Sequence, residues 1–227
     1  MKPVLFNRPD WAEDPRMLTE RTRVRRRSSR GSYDPAVVHA ILDEALVSHV
    51  GFVVEGQPYV IPTIHARIGD RLYFHGAVAN RTLSALRDGL PTCVTATLVD
   101  GIVLARSAMH HSLNYRSVVV LGNASPVTDR DEARAVLKAL VERVRPGRSA
   151  LCRPPNEAEL QVTSILGLTI AEASAKIRKG PPVDDSADYT LPYWAGVIPL
   201  RTVAGVPEPD PLLSPDIALP LESERAG

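Results

Sequence analysis

Cysteine is scarce: the 227 residues hold two, Cys93 and Cys152. They lie far apart, match no metal-ligand spacing and supply no disulfide framework, so a reducing, cytoplasmic setting is expected. Cys93 sits in an apolar run and reads as a core residue. Long apolar runs are missing too. No stretch approaches the ~20 apolar residues that span a bilayer, so no membrane partner is expected. The N-terminal MKPVLFNRPDW has no signal-peptide core. Charge of one sign is lacking as well. A net charge of +1 argues against a chain held to nucleic acid by bulk charge. No G-x-G-x-x-G opens a helix after the first strand, which argues against a Rossmann dinucleotide site. There is no G-x-S-x-G and no recognisable Cys–His spacing. Nothing names an acid, a base and a nucleophile together, so an enzyme of this kind would need a cofactor to carry its chemistry.

What is present supports a core, since 44% of residues are hydrophobic. Residues 1–33 read as an arm. It carries six arginines between Arg21 and Arg30 but no interleaved aromatics, so it reads as a solvated or subunit-spanning segment. Residues 34–206 read as one domain and residues 207–227 as a Pro-rich arm. Asp34-Pro35 opens a helix, Asp as N-cap and Pro at the first position, ending near His49. Val50–Val54 reads as a strand. Thr92–Val99 and Ile102–Ala108 read as two strands joined by an Asp100-Gly101 hairpin, followed by a polar loop with His110 and His111. Ser117–Ala124 follows as a buried strand. Asp129 and Glu132 suggest a capping box for a helix with the stripe Ala133, Val136, Leu137, Leu140, Val141 and Val144. A short helix near Asn156, a strand over Thr163–Ile170, a helical Ala171–Lys179 and a last strand within YWAGVIPLR complete the pass. Asp184 and Asp185 read as a solvated loop. Six or seven strands, mostly joined by hairpins, favour an antiparallel barrel with flanking helices.

The organising stretch is VIPTIHARIGDRLYFHGAVANRTLSAL, from Val60 to Leu86. It reads as a strand, a Gly69-Asp70 turn, a strand, and a loop opening a helix. In a tight turn His65 and His75 become cross-strand neighbours, which would flank a pocket or, less readily, hold a metal. Gly76, Ala77 and Ala79 let a ligand approach the backbone. Asn80 can cap the helix, with Arg81 and Thr82 in its first turn. Free N–H groups, a positive dipole end, a guanidinium and a hydroxyl converge there and suit a phosphate. The plain alternative is a connecting helix with a surface arginine.

Several segments together resemble the pyridoxamine 5'-phosphate oxidase-like, FMN-binding split-barrel superfamily, in the branch that holds flavin-nucleotide-binding and nitroimidazole-resistance proteins. They are YFHGAVANRTLSAL, CVTATLVDGIVLARSAMHHSLNYRSVVVLGNA, ASAKIRKGPPVDD and YWAGVIPL, and the resemblance covers about residues 20–205. It implies a split antiparallel β-barrel of six to seven strands, Greek-key in type. It also implies a homodimer with FMN at the subunit interface and a small-molecule substrate oxidised or reduced by hydride or electron transfer.

By that resemblance, Ile61, Pro62, Thr63, Ile64 and His65 match the strand that contacts the flavin ring. His75 and Gly76 match a Tyr-Thr pair near phosphate and ring. Arg81 matches the phosphate-gripping arginine, beside Asn80. Thr82 stands where the oxidases have lysine, so one positive charge is missing. Ser117 matches a flavin-contacting Gln. The Trp-and-Arg substrate motif of the oxidases has only Trp194 and Arg201 as counterparts, so pyridoxamine phosphate is not the expected substrate. His75 is the candidate catalytic residue, since an imidazole beside a flavin can deliver a proton. Haem or a deazaflavin stands as the alternative cofactor, and a non-enzymatic regulatory protein as the alternative role.

Overall fold

The computed structural model describes residues 17–217 apart from Asn80 and Pro215. Its elements in chain order are β1 (Gly31–Ser32), α1 (Pro35–Glu44), β2 (Val47–Val54), β3 (Gln57–Ile64), β4 (Ala66–Ile68) and β5 (Arg71–Ala77). Then come α2 (Arg81–Arg87), β6 (Pro91–Leu104), β7 (Ser112–Asn123), β8 (Ser125–Pro126), α3 (Arg130–Val144), α4 (Glu157–Val162), β9 (Thr163–Thr169), β10 (Glu172–Arg178) and β11 (Gly196–Pro199). All pairings are antiparallel. A seven-stranded sheet runs β1-β10-β7-β6-β2-β3, with β11 also on β6, and a four-stranded sheet runs β4-β5-β9-β8. The mainly β architecture is the split barrel expected, with more strands than the six or seven read because several are very short.

The main core lies on the inner face of the larger sheet. Val50, Val94, Ala96, Val118, Val120, Ala173 and Ala175 project from four neighbouring strands, β2, β6, β7 and β10, at positions of period two and pack against Val38, Ile41 and Leu42 of α1. Asp34 caps α1 through Ala36 N, with Pro35 first in the helix, as read. The stretch ahead of α1 joins the same core through Met17 and Tyr33. A second cluster holds Val136 and Leu140 of α3 against Ala66, Tyr73 and Ile165 of the smaller sheet.

Several sequence expectations change. Helix α1 ends at Glu44, not near His49, and His49 lies in β2. Arg143 donates to the carbonyl of Ala45 at 2.6 Å, covering the end of the helix. Asp100-Gly101 is no hairpin: β6 runs straight through, with a register shift between Val99 and Gly101. Arg116 occupies the Asp100 carboxylate at 2.7 and 3.0 Å, while Gly101 lies under β11, where a Cβ would meet Ile198 O at 3.0 Å. Long-range pairing thus overrides a local turn signal. The polar loop after it shortens to a turn, since β7 starts at Ser112.

Ala171–Lys179 is not helical. Its alanines alternate inward in β10, where small residues fit under α1. Cys93 is half-buried on the outer face of the large sheet, not in the core. Asp129 caps α3 through Glu132 N, but the Glu132 carboxylate turns to Arg71 and Tyr73, so the box is half made. The complete box is Asn156–Glu159 on α4.

Candidate functional site

The Val60–Leu86 stretch divides between the two sheets. The chain leaves the large sheet at Ile64 and enters the small one at Ala66, so His65 lies at the crossover. His65 is fully buried, its Nε2 is 2.9 Å from the carbonyl of Leu42, and burial pushes its pKa below 6.5. The β4–β5 register pairs Ala66 with Tyr73, which leaves His65 and His75 out of register. His75 pairs instead with Ile165 of β9. The two histidines therefore do not flank one pocket. Among the described residues no group of three metal-ligating side chains exists.

His75 emerges at the seam of the sheets. On one side lies a small cavity of about 40 Å³, lined by Val50, Ile61, Thr63, Phe74, Thr82 and Leu83 together with His75. On the other lies a groove of about 880 Å³. Ile64 and His75 form its floor. Its walls include Leu137, Val141 and Val144 of α3, with Pro154 and Pro155 from the loop before α4. Such a volume holds a ligand of cofactor size. Three cations, Arg134, Lys138 and Arg153, stand around this apolar lining. Arg134 pairs with Glu157, and Arg153 with Glu159 at 2.7 Å.

The His75 side chain has no hydrogen-bond partner among the described residues, and desolvation lowers its pKa from 6.5. At neutral pH it is a neutral imidazole with an available lone pair, able to accept a proton or ligate a metal.

The structure thus gathers Ile61, Thr63, His75 and Thr82 about the small cavity, and Ile64 and His75 about the groove. It turns Pro62 to the outer face of β3, opposite His49 of β2. Gly76 pairs with Ser164 next to His75. Ser117 is not brought to this seam. It lies on β7, three strands from β3, with its hydroxyl on the Lys176 carbonyl at 3.3 Å. Arg81 opens α2 beside Thr82, while Asn80 and the side chain of Arg81 lie outside the described residues.

Sequence reasoning missed the groove wall. The α3 stripe read as one core face. Only Val136 and Leu140 are buried, while Leu137, Val141 and Val144 line the groove. The available signal was the width of that stripe, which exceeds what one packed face needs.

The family model described as "Pyridoxamine 5'-phosphate oxidase" matches residues 34–177. The chain belongs to this family, whose split-barrel fold it has. Among solved structures it is similar to the flavocytochrome Anf3 from Azotobacter vinelandii, at 43% identity over 89% of this chain and 94% of that one, with a TM-score of 0.84. It is also similar to the FAD and heme binding protein from Mycobacterium smegmatis, at 35% identity over 84% and 94%, with a TM-score of 0.81. A putative 5-nitroimidazole antibiotic resistance protein from Bacteroides thetaiotaomicron shares the fold, at 20% identity over 63% and 84%, with a TM-score of 0.54. No curated protein matches the chain.

Proposed function

We propose that this protein is a homodimeric flavin-binding oxidoreductase that acts on a small molecule, with a haem as its second cofactor. The observation that carries the reading is the position of His75, whose imidazole lines two cavities. Two relatives above 30% identity support it: one is a flavocytochrome, and the other is named for FAD and haem. FMN is the flavin implied by the sequence.

The residues fit both groups. Arg81, Asn80 and Thr82 would take the flavin phosphate at the start of α2, and Ile61, Thr63 and Gly76 would flank the ring. The apolar groove between Ile64 and α3 suits a flat macrocycle, with Arg134 and Arg153 placed for its carboxylates and His75 for its iron. When bound, the flavin supplies hydride or electron transfer and the haem supplies one-electron chemistry. The chain binds and orients the groups, excludes water through the apolar lining, and holds the His75 nitrogen unprotonated. A His75 that ligates iron is withdrawn from proton delivery, so its two roles are separable by experiment.

The test is the visible spectrum of the purified protein before and after adding FMN, FAD and haemin, with Arg81→Ala as control. Flavin bands weakened by Arg81→Ala and a Soret band retained in it are expected. A protein that stays colourless with all three would overturn the reading.

A further inference from the structure

The chain beyond β11 has an unusual surface. Every residue from Ile198 to Ser214 is exposed. Val203 is 80% exposed, Val206 91% and Leu212 93%, values extreme for aliphatic side chains. After Leu200 N reaches Asp100 O at 3.0 Å, the remaining bonds of this segment among the described residues are local. They join Leu212 N to Asp210 Oδ1, Leu213 N to Asp210 O and Ile217 N to Ser214 O. Pro207, Pro209 and Pro211 favour extended backbone, so docking this segment costs little further conformational entropy.

The groove beside His75 has the complementary surface. It exposes Ile64 and Val144, and its wall carries Arg134, Lys138 and Arg153. From Thr202 to Ile217 the tail holds Glu208, Asp210 and Asp216 and no basic residue. Within one chain the two surfaces do not meet: the tail leaves from β11 in the large sheet, fully exposed, and the groove stays open, with Arg134 and Arg153 bridged to Glu157 and Glu159 and Lys138 left to receive an acid. A two-fold pair of copies would satisfy both surfaces twice over.

We infer that residues 202–217 form an arm that crosses to a second copy of this chain and closes the groove of that copy. The inference rests on the dimeric reading above and adds which segment completes the site. Val206 and Leu212 seat on the α3 wall beside Val141 and Val144, and Glu208 and Asp210 meet Lys138. The groove is then finished only by the neighbouring subunit, which shuts out water from whatever cofactor lies within it.

The test uses the full-length chain with a photo-crosslinking benzoylphenylalanine at Val206. Irradiation should give a covalent species of twice the chain mass, with the adduct on α3. The double variant Val206→Asp, Leu212→Asp alters only exposed side chains and should weaken dimerisation at least tenfold by sedimentation. Lys138→Glu should weaken it too, and adding Glu208→Lys and Asp210→Lys to Lys138→Glu should restore it. Cross-links confined to single chains would mean that the arm folds on its own groove and would overturn the inference. So would unchanged dimerisation in the arm variants, which leaves the dimeric reading standing. A full-length chain that is monomeric at every concentration would remove both.

Discussion

Asp184 and Arg106 form a link between the strap after β10 and the turn after β6, with the acid buried and the arginine partly exposed. The guanidinium lies 3.1 Å from a carboxylate whose side chain is 0% exposed. The backbone N–H groups of Arg106 and Ser107 donate to the same carboxylate at 3.1 and 3.3 Å. A segment that reads as a solvated acidic loop is thus pinned by its acid. Burial alone would push this carboxyl pKa up, but the N–H groups and the guanidinium outweigh it and hold the value below 3.8.

The first prediction concerns that link. A depressed carboxylate pKa stabilises the fold above the unfolded value of 3.8, and the contribution is lost as pH falls through the folded value. Asp184→Asn should lower Tm at pH 7 and raise hydrogen exchange over residues 181–190. The difference from wild type should shrink at pH 3. Equal Tm values at pH 7 would refute the pinning.

His65 gives the same direction of pH dependence in a higher pH window. Its folded pKa lies below 6.5 because burial disfavours the cation. Below pH 6.5 the unfolded chain takes the proton first, so stability falls with acid by up to about 1.4 kcal/mol per pH unit. His65→Ala should cost about 2–4 kcal/mol, for the lost volume and the Leu42 carbonyl left unpaired. Denaturant titrations at pH 5.5 and 7.5 check both, and the variant should show a smaller difference between the two pH values.

His75 is expected to act at the site and not on the fold. His75→Phe should keep Tm near wild type and retain flavin, while the Soret band shifts or is lost. If His75 delivers a proton instead, the Soret band stays and turnover falls roughly 10²–10⁴-fold. Spectra and rates on the same preparation separate the two roles.

Gly101 is expected to be intolerant of a side chain. A Cβ there would meet Ile198 O and Val197 Cγ1, both at 3.0 Å. Gly101→Val should displace β11 and cost about 1–3 kcal/mol. Faster amide exchange over Gly196–Pro199, with β2 unaffected, is the expected readout.

The parts of the fold legible in the sequence are those where local signals and distant partners agree. Asp34-Pro35 starts a helix, Asn156 starts another, and the strand at Thr163 and the last strand at Gly196 fall where the pattern puts them. The misreadings share one cause. Asp100-Gly101 has hairpin chemistry, yet Arg116 and β11 hold it extended. Ala173 and Ala175 favour a helix in isolation, yet β7 recruits them to a sheet whose inner face needs small residues. His65 and His75 look like partners across a turn, but the chain changes sheets between them. At the candidate site, Ile61, Thr63, His75 and Thr82 were legible because they lie within one stretch. The groove was not, because its walls come from α3 and the loop before α4, some sixty to eighty residues further along.

The order of strands also sets when the protein can be finished during synthesis. In the large sheet β7 pairs with β6 on one side and with β10 on the other. The last residue of β10 is Arg178, and β10 must be in place before the two-residue β1 has anything to pair with. Until then the nascent chain presents one side of β7, with Val118 and Val120, as an unpaired strand edge. Such an edge can pair with another chain. Holding the growing chain away from its neighbours until residue 178 has emerged is therefore a demand that this topology places on the ribosome-bound state, and slow passage through the preceding residues would prolong it.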